Sequence, residues 1–301
     1  MKKNKSLIRR FVPVFAVMST AVLLSSCPKP APVDPYKIDD QTGGELLELI
    51  HMNMLKDHTK YVTYSSYSSY ESTSGGKVAI DSDPTDKTKI VDFYTGKKYS
   101  AYSGMSREHV WACANSGNLW VHDSNAGSHY VDGPGYKGGG SDLYHIRPVE
   151  NAVNTRRGNG KLYEFKESDT KYTYPGYETP YKITVDSEGD FATKFEPADE
   201  IKGDIARIIM YVYTHYANIG DNSDVSDTVR GYLGALDIKN IFNSSYTLDQ
   251  VHEILVRWNE MDPVSDIERL RNDTIEAIQG NRNTFVDHPE YIRRIWMPDE
   301  D

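Results

Sequence analysis

Cysteine is nearly absent: the 301 residues include two, Cys27 and Cys113. Two thiols cannot build a thiolate zinc site, and they cannot support a disulfide framework. A chain of this length has to be held by an apolar core, and it is long enough to make one. There is also no apolar run that reads as a membrane-spanning helix, since Phe11 to Leu24 is too short to cross a bilayer comfortably. Positive charge is scarce as well, with 34 Lys and Arg against 44 Asp and Glu, a net of −10. This excludes a passive nucleic-acid coat, whose affinity comes from broad phosphate neutralisation. An enzyme with a local basic cleft stays open, because a local field can oppose the global charge. What is present is 38% hydrophobic and 26% charged, the composition of a folded soluble chain, with 22 tyrosines.

The first residues read as an export signal. Lys2, Lys3, Lys5, Arg9 and Arg10 precede the apolar stretch, which ends in Leu24-Ser25-Ser26-Cys27. An apolar residue, two small ones and a cysteine match a lipoprotein signal, implying removal of residues 1–26 and acylation of Cys27. A plain signal peptide or an N-terminal anchor are the other readings. Stable anchoring needs two or more acyl chains, since one holds only marginally. Removal of residues 1–26 takes away five positive charges and no negative ones, leaving a net of −15. Residues 27–44 then form an acylated, proline-rich tether, with Pro28, Pro30, Pro32 and Pro35 favouring extended chain. Residues 45–301 are expected to form one domain.

Along that domain, Leu46, Leu47, Ile50 and Met54 share one face of a helix expected over 45–54. Tyr61, Tyr64, Tyr67 and Tyr70 recur every three residues in a Ser-rich run, read as a polar loop or helix edge packing tyrosine rings, with a base-stacking platform as the alternative. Asp81, Asp83 and Asp86 suggest a solvated turn or a calcium loop. Residues 88–166 mix short strands with Gly-rich loops, including five glycines from Gly133 to Gly140. The last third reads as helical. Ile205, Ile208, Ile209 and Val212 lie on one face. Thr247 and Gln250 form a capping box. Asp262-Pro263 suggests the cap and first position of a helix that ends at Gly280.

Two segments carry chemistry: Arg107-Glu108-His109-Val110-Trp111, and Asp142-Leu143-Tyr144-His145-Ile146-Arg147-Pro148 continuing to Asn159. Phosphodiester hydrolysis needs a base for water and a cation for the developing charge. An imidazole such as His109, with an unperturbed pKa of ~6.5, can act as that base at neutral pH, and Glu108 is an oxygen ligand suited to a hard cation. Adjacent side chains point to opposite faces of a strand but can serve one site in a twisted turn. Pro148 suggests a helix start, after which Asn151, Asn154 and Arg157 share a face. From His145 to Lys161 the local charge is +3. The plain alternatives are a surface His–Glu pair and an arginine-rich helix end answering the helix dipole. Neither Glu108 nor His109 belongs to an apolar periodicity, so the fold is expected to tolerate their replacement. His122 and His129 could bind zinc, although a simple polar loop fits their spacing better.

Arg-Glu-His-Val-Trp at 107–111, Asp-Leu-x-His-x-x-Pro at 142–148 and Val-Asn-x-x-Arg-x-Asn at 153–159 resemble the bacterial endonuclease I family. So do Gly203-Asp204-Ile205, Asp262-Pro263-Val264 and Gln279-Gly280-Asn281-Arg282-Asn283-Thr284-Phe285-Val286-Asp287-His288-Pro289-Glu290, and the likeness covers about residues 45–296. It implies an α+β fold, a single mixed domain around a ββα-metal (His-Me finger) core with a helical C-terminal third. It also implies non-sequence-specific cleavage of DNA, and in many members RNA, with Mg²⁺ or Mn²⁺. Residue by residue, His109 resembles the general base and Glu108 and Asn154 the metal ligands. Arg147 and Arg157 resemble catalytic phosphate contacts. Arg107, His145, Arg156 and Asn159 fall at substrate-binding positions, and Asp142 at one that orients its neighbours. The closing motif holds no catalyst and reads as a structural corner. Departures are Ala112-Cys113 after Trp111 in place of Pro and a basic residue, Tyr144 for a His, and Thr284 for a Pro.

The expected function is a metal-dependent, exported endonuclease held to a bacterial membrane at the cell surface or in the periplasm. It would act as a monomer with nucleic acid as its partner. A non-catalytic binding lipoprotein on the same fold and a sugar- or peptide-binding lipoprotein are the competing readings. The signal motif makes its own prediction. Wild-type chain should partition into detergent and take up a fatty-acid label, and Cys27→Ser should do neither; a Cys27→Ser chain that stays fully membrane-bound contradicts acylation.

Overall fold

The computed structural model describes residues 38–74, 78–116, 139–169, 172–173, 182–185, 192–216 and 237–298. The export signal, most of the tether, most of the glycine loop, His122 and His129 lie outside these residues. Helix α1 (Gly43–Asp57) buries Leu46, Leu47, Ile50 and Met54, the face its periodicity marks. A 3₁₀ turn and the short α2 (Tyr67–Tyr70) come next, with Tyr67 fully buried, so the tyrosine run packs rings along a helical edge.

Strands β1 (Ile90–Val91) and β2 (Lys98–Tyr99) pair antiparallel. The turn between them docks on the next strand pair: Phe93 N–H donates to the Pro148 carbonyl at 3.0 Å, and the Asp92 carboxylate accepts from Glu150 N–H. Strand β3 (Met105–His109) pairs antiparallel with β4 (Ile146–Glu150), placing Glu108 opposite Arg147 and His109 opposite Ile146. Helix α3 (Asn151–Arg157) leaves β4 directly. The three elements make the expected ββα unit, with one correction. Pro148 starts no helix: it lies inside β4 opposite Arg107, and the helix begins three residues later. Strand pairing decides this, because Pro fixes a dihedral compatible with either element and its missing donor is no loss in a two-stranded sheet.

Strands β5 (Lys161–Leu162), β6 (Tyr172–Thr173), β7 (Lys182–Val185) and β8 (Ala192–Glu196) form a sheet in the order β5-β8-β7-β6, parallel only between β5 and β8. The rest is helical: α4 (Lys202–Tyr216), α5 (Leu248–Met261), α6 (Asp266–Gln279), α7 (Thr284–Asp287) and α8 (Tyr291–Trp296). Helix α4 is the axis, with Ile205, Ile208, Ile209 and Val212 buried together with nearly every other position. One apolar core joins Trp111, Leu143, Val149 and Val153 of the ββα region to Ile205, Leu255, Trp258 and Ile292 of the helices, and residues 36–301 form one compact unit.

The Thr247–Gln250 capping box forms, and Gly280 ends α6 in the left-handed conformation at φ 95°. A side chain there would also strike Thr59 Oγ1 and the Asp57 carbonyl, each under 3 Å away. Asp262-Pro263 does not cap α6. Ser265 does, in a second capping box with Glu268, while the Asp262 carboxylate accepts from Gly203 N–H at 2.9 Å and so caps α4. Gly203 is required there, since a Cβ would lie 2.0 Å from the Asp262 carbonyl.

Two buried ionic clusters tie the layers together. Arg207 of α4 grips Glu268 of α6 through Nε at 2.6 Å and a second nitrogen at 2.7 Å. Arg271 of α6 meets Asp81 at 3.0 Å, and the other side of Asp81 lies 2.8 Å from Arg147 Nε. Burial works against the Asp81 charge, but the two guanidiniums hold its carboxyl below the usual range, while burial pushes neighbouring Glu71 well above it. Asp81 is thus an internal counter-ion, neither a solvated turn residue nor half of a calcium loop. Asp83 does form the turn, accepting from Thr85 N–H at 2.7 Å.

Candidate active site

Strand β3 ends on Glu108-His109, and the two side chains part as strand alternation requires. Glu108 turns inward and is 4% exposed. Its Oε1 accepts the Tyr94 hydroxyl at 2.6 Å, and Arg157 Nε of α3 stands 3.3 Å away, as an ion pair without aligned hydrogen-bond geometry. Burial pushes the Glu108 carboxyl above the usual range, and Arg157 and the Tyr94 hydroxyl pull it back toward ionisation. Arg157 itself is 1% exposed and also donates to the Val110 carbonyl at 2.8 Å and the Gly158 carbonyl at 3.0 Å. The expectation that the fold tolerates loss of Glu108 therefore fails: removing one member of a buried pair costs about 3–5 kcal/mol.

His109 is half-buried on the other side of the strand. Its Nε2 lies 2.7 Å from the Gly140 carbonyl and must donate to it, which makes Nδ1 the acceptor of a neutral ring. The ring is held between Tyr64, stacked at 5.4 Å and 17°, and His145, tilted at 5.1 Å. An imidazole fixed in tautomer and plane in this way is a competent proton acceptor.

His145 is fully buried. Its Nε2 accepts Trp111 N–H at 3.1 Å and its Nδ1 donates to the Gly139 carbonyl at 2.7 Å. Burial, and next the neighbouring His109, hold its pKa well below the usual imidazole value. Both ring nitrogens are thus engaged by backbone groups, and the buried ring braces the loop against Trp111. Asp142 is 3% exposed and orients its surroundings, accepting from Tyr144 N–H at 2.8 Å, Tyr211 at 2.7 Å, Tyr216 at 2.6 Å and Gln279 at 3.1 Å.

Asn154 is half-buried on α3, one turn before Arg157 and on the same face. Arg147 is 5% exposed, stacked 4.1 Å over Phe93 beside Asp81. Arg107 is half-buried, its guanidinium 3.8 Å over the Tyr64 ring and donating to the Tyr64 carbonyl at 2.9 Å. Arg156 is half-buried and Asn159 exposed. The ββα unit thus carries Glu108, His109, Arg157 and Asn154, with His145 against His109, while Arg107 and Arg156 are half-buried and Asn159 is exposed. Sequence reasoning missed Tyr94, Tyr64 and the Gly139–Gly140 carbonyls. Only Tyr64 carried a signal, as part of the three-residue tyrosine repeat.

The closing motif is the corner it was expected to be. Gln279 donates to Asp142 and accepts from Leu143 N–H at 2.8 Å, Asn281 donates to Tyr211 at 2.6 Å, and Asn283 pairs with Asn272 at 2.9 Å, all buried.

The chain matches the family model of Endonuclease I over residues 43–290. It is 30% identical over 281 residues to an extracellular ribonuclease of Bacillus subtilis (strain 168), covering 88% of this chain and 82% of that protein. It is 28% identical over 299 residues to an extracellular ribonuclease of Bacillus amyloliquefaciens, covering 94% and 84%.

The neutral His145 gives a pH prediction. An unfolded imidazole protonates below about pH 6.5, and the folded one does not at that pH. Below it the unfolded chain binds the extra proton, so this group's stabilisation is full above that pH and falls as pH drops toward the lowered folded value. Urea midpoints of wild type should fall from pH 7 to 5. His145→Asn should start lower at pH 7 and fall less across the interval; parallel profiles contradict the assignment.

Proposed function

The chain belongs to the endonuclease I family and is a phosphodiester hydrolase, and from that premise we propose that it is an exported, metal-dependent nuclease that cuts DNA and RNA without sequence selection. One arrangement supports this reading above the rest: an antiparallel hairpin ending on Glu108-His109, closed by a helix that brings Arg157 to Glu108 and carries Asn154 one turn earlier.

The donor set fits a hard divalent cation. A carboxylate and a neutral amide oxygen leave most of the shell to water, which suits Mg²⁺ or Mn²⁺ held with modest affinity. When bound, the cation supplies positive charge to the phosphoryl oxygens and the leaving oxygen. His109 takes the proton of the attacking water at Nδ1, while the Gly140 carbonyl fixes the opposite nitrogen. Arg157 and Tyr94 keep Glu108 in place as a ligand. The burial of Arg147 and Arg157 favours positioning roles for both over the direct phosphate contacts the sequence suggests. The partial exposure of Arg107 and Arg156 and the exposure of Asn159 support contacts from these three to the substrate backbone. The lipoprotein motif ending at Cys27 supports retention of the exported enzyme at a membrane.

Replacement of the two neighbours separates their roles. His109→Ala should bind nucleic acid, cleave about 10²–10⁴-fold more slowly, and recover partly with imidazole or higher pH. Glu108→Gln, which spares the volume and the Tyr94 contact, should instead raise the Mg²⁺ requirement and ignore imidazole, and Asn154→Ala should do the same. Wild-type cleavage rates for His109→Ala across pH 6–9 contradict its role as base.

A further inference from the structure

A second convergence of ligand groups, sharing no residue with the Glu108–Asn154 pair, lies inside the protein. His58 succeeds the last turn of α1, His215 lies in the last turn of α4, and Asp142 sits in the loop that leads into β4. All three are buried, at 3%, 1% and 3% exposure. Their ligand atoms lie within 4.8 Å of one another, and His58 Nδ1 faces His215 Nε2 at 2.8 Å.

We propose that His58, Asp142 and His215 form a second metal site that takes zinc or a similar borderline transition-metal ion. Two imidazole nitrogens and one carboxylate oxygen are the donors such ions select, whereas Mg²⁺ prefers oxygen alone. The surroundings are those of a built site. Tyr211 and Tyr216 donate to one carboxylate oxygen of Asp142, and Gln279 and Tyr144 N–H to the other, fixing the carboxylate's orientation. The Tyr61 ring lies 4.3 Å from that of His58, and Tyr211 and Tyr216 flank His215. A buried carboxylate is costly unless its charge is met, and a divalent ion between two neutral imidazoles would meet it. Metal–ligand bonds of about 2.0–2.2 Å in a tetrahedron set ligand atoms about 3.3 Å apart. The imidazoles would therefore part by about 0.5 Å from their 2.8 Å separation, leaving the fourth position for water.

Such an ion would tie α1, α4 and the active-site loop together. The Asp142 carbonyl accepts from His145 and Ile146 N–H at 3.0 and 3.1 Å, and the Gly139 and Gly140 carbonyls just before it hold His145 and His109. The site is a brace for the catalytic loop, and it holds its ion whether or not the Glu108–Asn154 reading is right.

The experiment measures metal, not cleavage. Full-length chain purified without chelators, supplied with zinc and then dialysed against excess Mg²⁺, should retain about one zinc per chain by elemental analysis. Cobalt in its place should give the visible absorption of a four-coordinate ion. Glu108→Gln should retain zinc, and His58→Gln and His215→Asn should lose it while keeping a wild-type circular dichroism spectrum. If either variant fails to fold, the wild-type cobalt spectrum decides. Wild-type protein that holds neither ion after dialysis overturns the proposal, leaving a proton shared between the imidazoles, as does a folded His215→Asn that holds as much zinc as wild type.

Discussion

A carboxylate carried into the protein interior needs a partner, and Glu108 finds one in Arg157. The pair joins the end of β3 to the end of α3, and to form it β4 must return antiparallel with Glu108 opposite Arg147. A slip of one residue along that ladder would turn His109 inward and Glu108 outward. The register and the direct passage from β4 into α3 are both compatible with satisfying this one buried charge. Tyr94 completes the arrangement from the β1–β2 turn with a hydroxyl that reaches the same oxygen.

The helical third holds the hairpin in place. Arg271 of α6 donates to the Leu143 and Ile146 carbonyls and pairs with Asp81, which reaches Arg147 on β4. Gln279 fastens Asp142 at the start of the same loop, and Asn281 fastens Tyr211 of α4, which in turn donates to Asp142. The Gly139 and Gly140 carbonyls that orient His145 and His109 therefore lie at the end of a continuous buried polar network. Most of its members meet a specific partner, so the value of the network lies in fixing one loop conformation as much as in stability.

What the sequence disclosed, and what it withheld, divides along local and non-local physics. The apolar faces of α1 and α4, the Thr247–Gln250 box and the stop at Gly280 depend on spacing within one element, and each formed as read. Pro148 and Asp262 were misplaced because each satisfies a local rule for starting a helix while a distant partner claims it: Arg107 across the ladder, and the Gly203 amide on another helix. The arginines show the same limit. A cluster of guanidiniums reads as phosphate-binding by charge alone, and only packing reveals that Arg147 and Arg157 are spent on internal carboxylates. Tyr94 and the Gly140 carbonyl carry no pattern at all, since their roles exist only once the chain has folded.

On the function proposed above, the buried hairpin-and-helix arrangement presents a cation site and an oriented imidazole to a phosphodiester. The measurement that meets it most directly is cleavage of plasmid DNA and of single-stranded RNA by the full chain in excess EDTA, then with Mg²⁺ added beyond the chelator. Neither substrate should be cleaved in EDTA, and cleavage of both should recover with Mg²⁺. Undiminished cleavage in EDTA would contradict it.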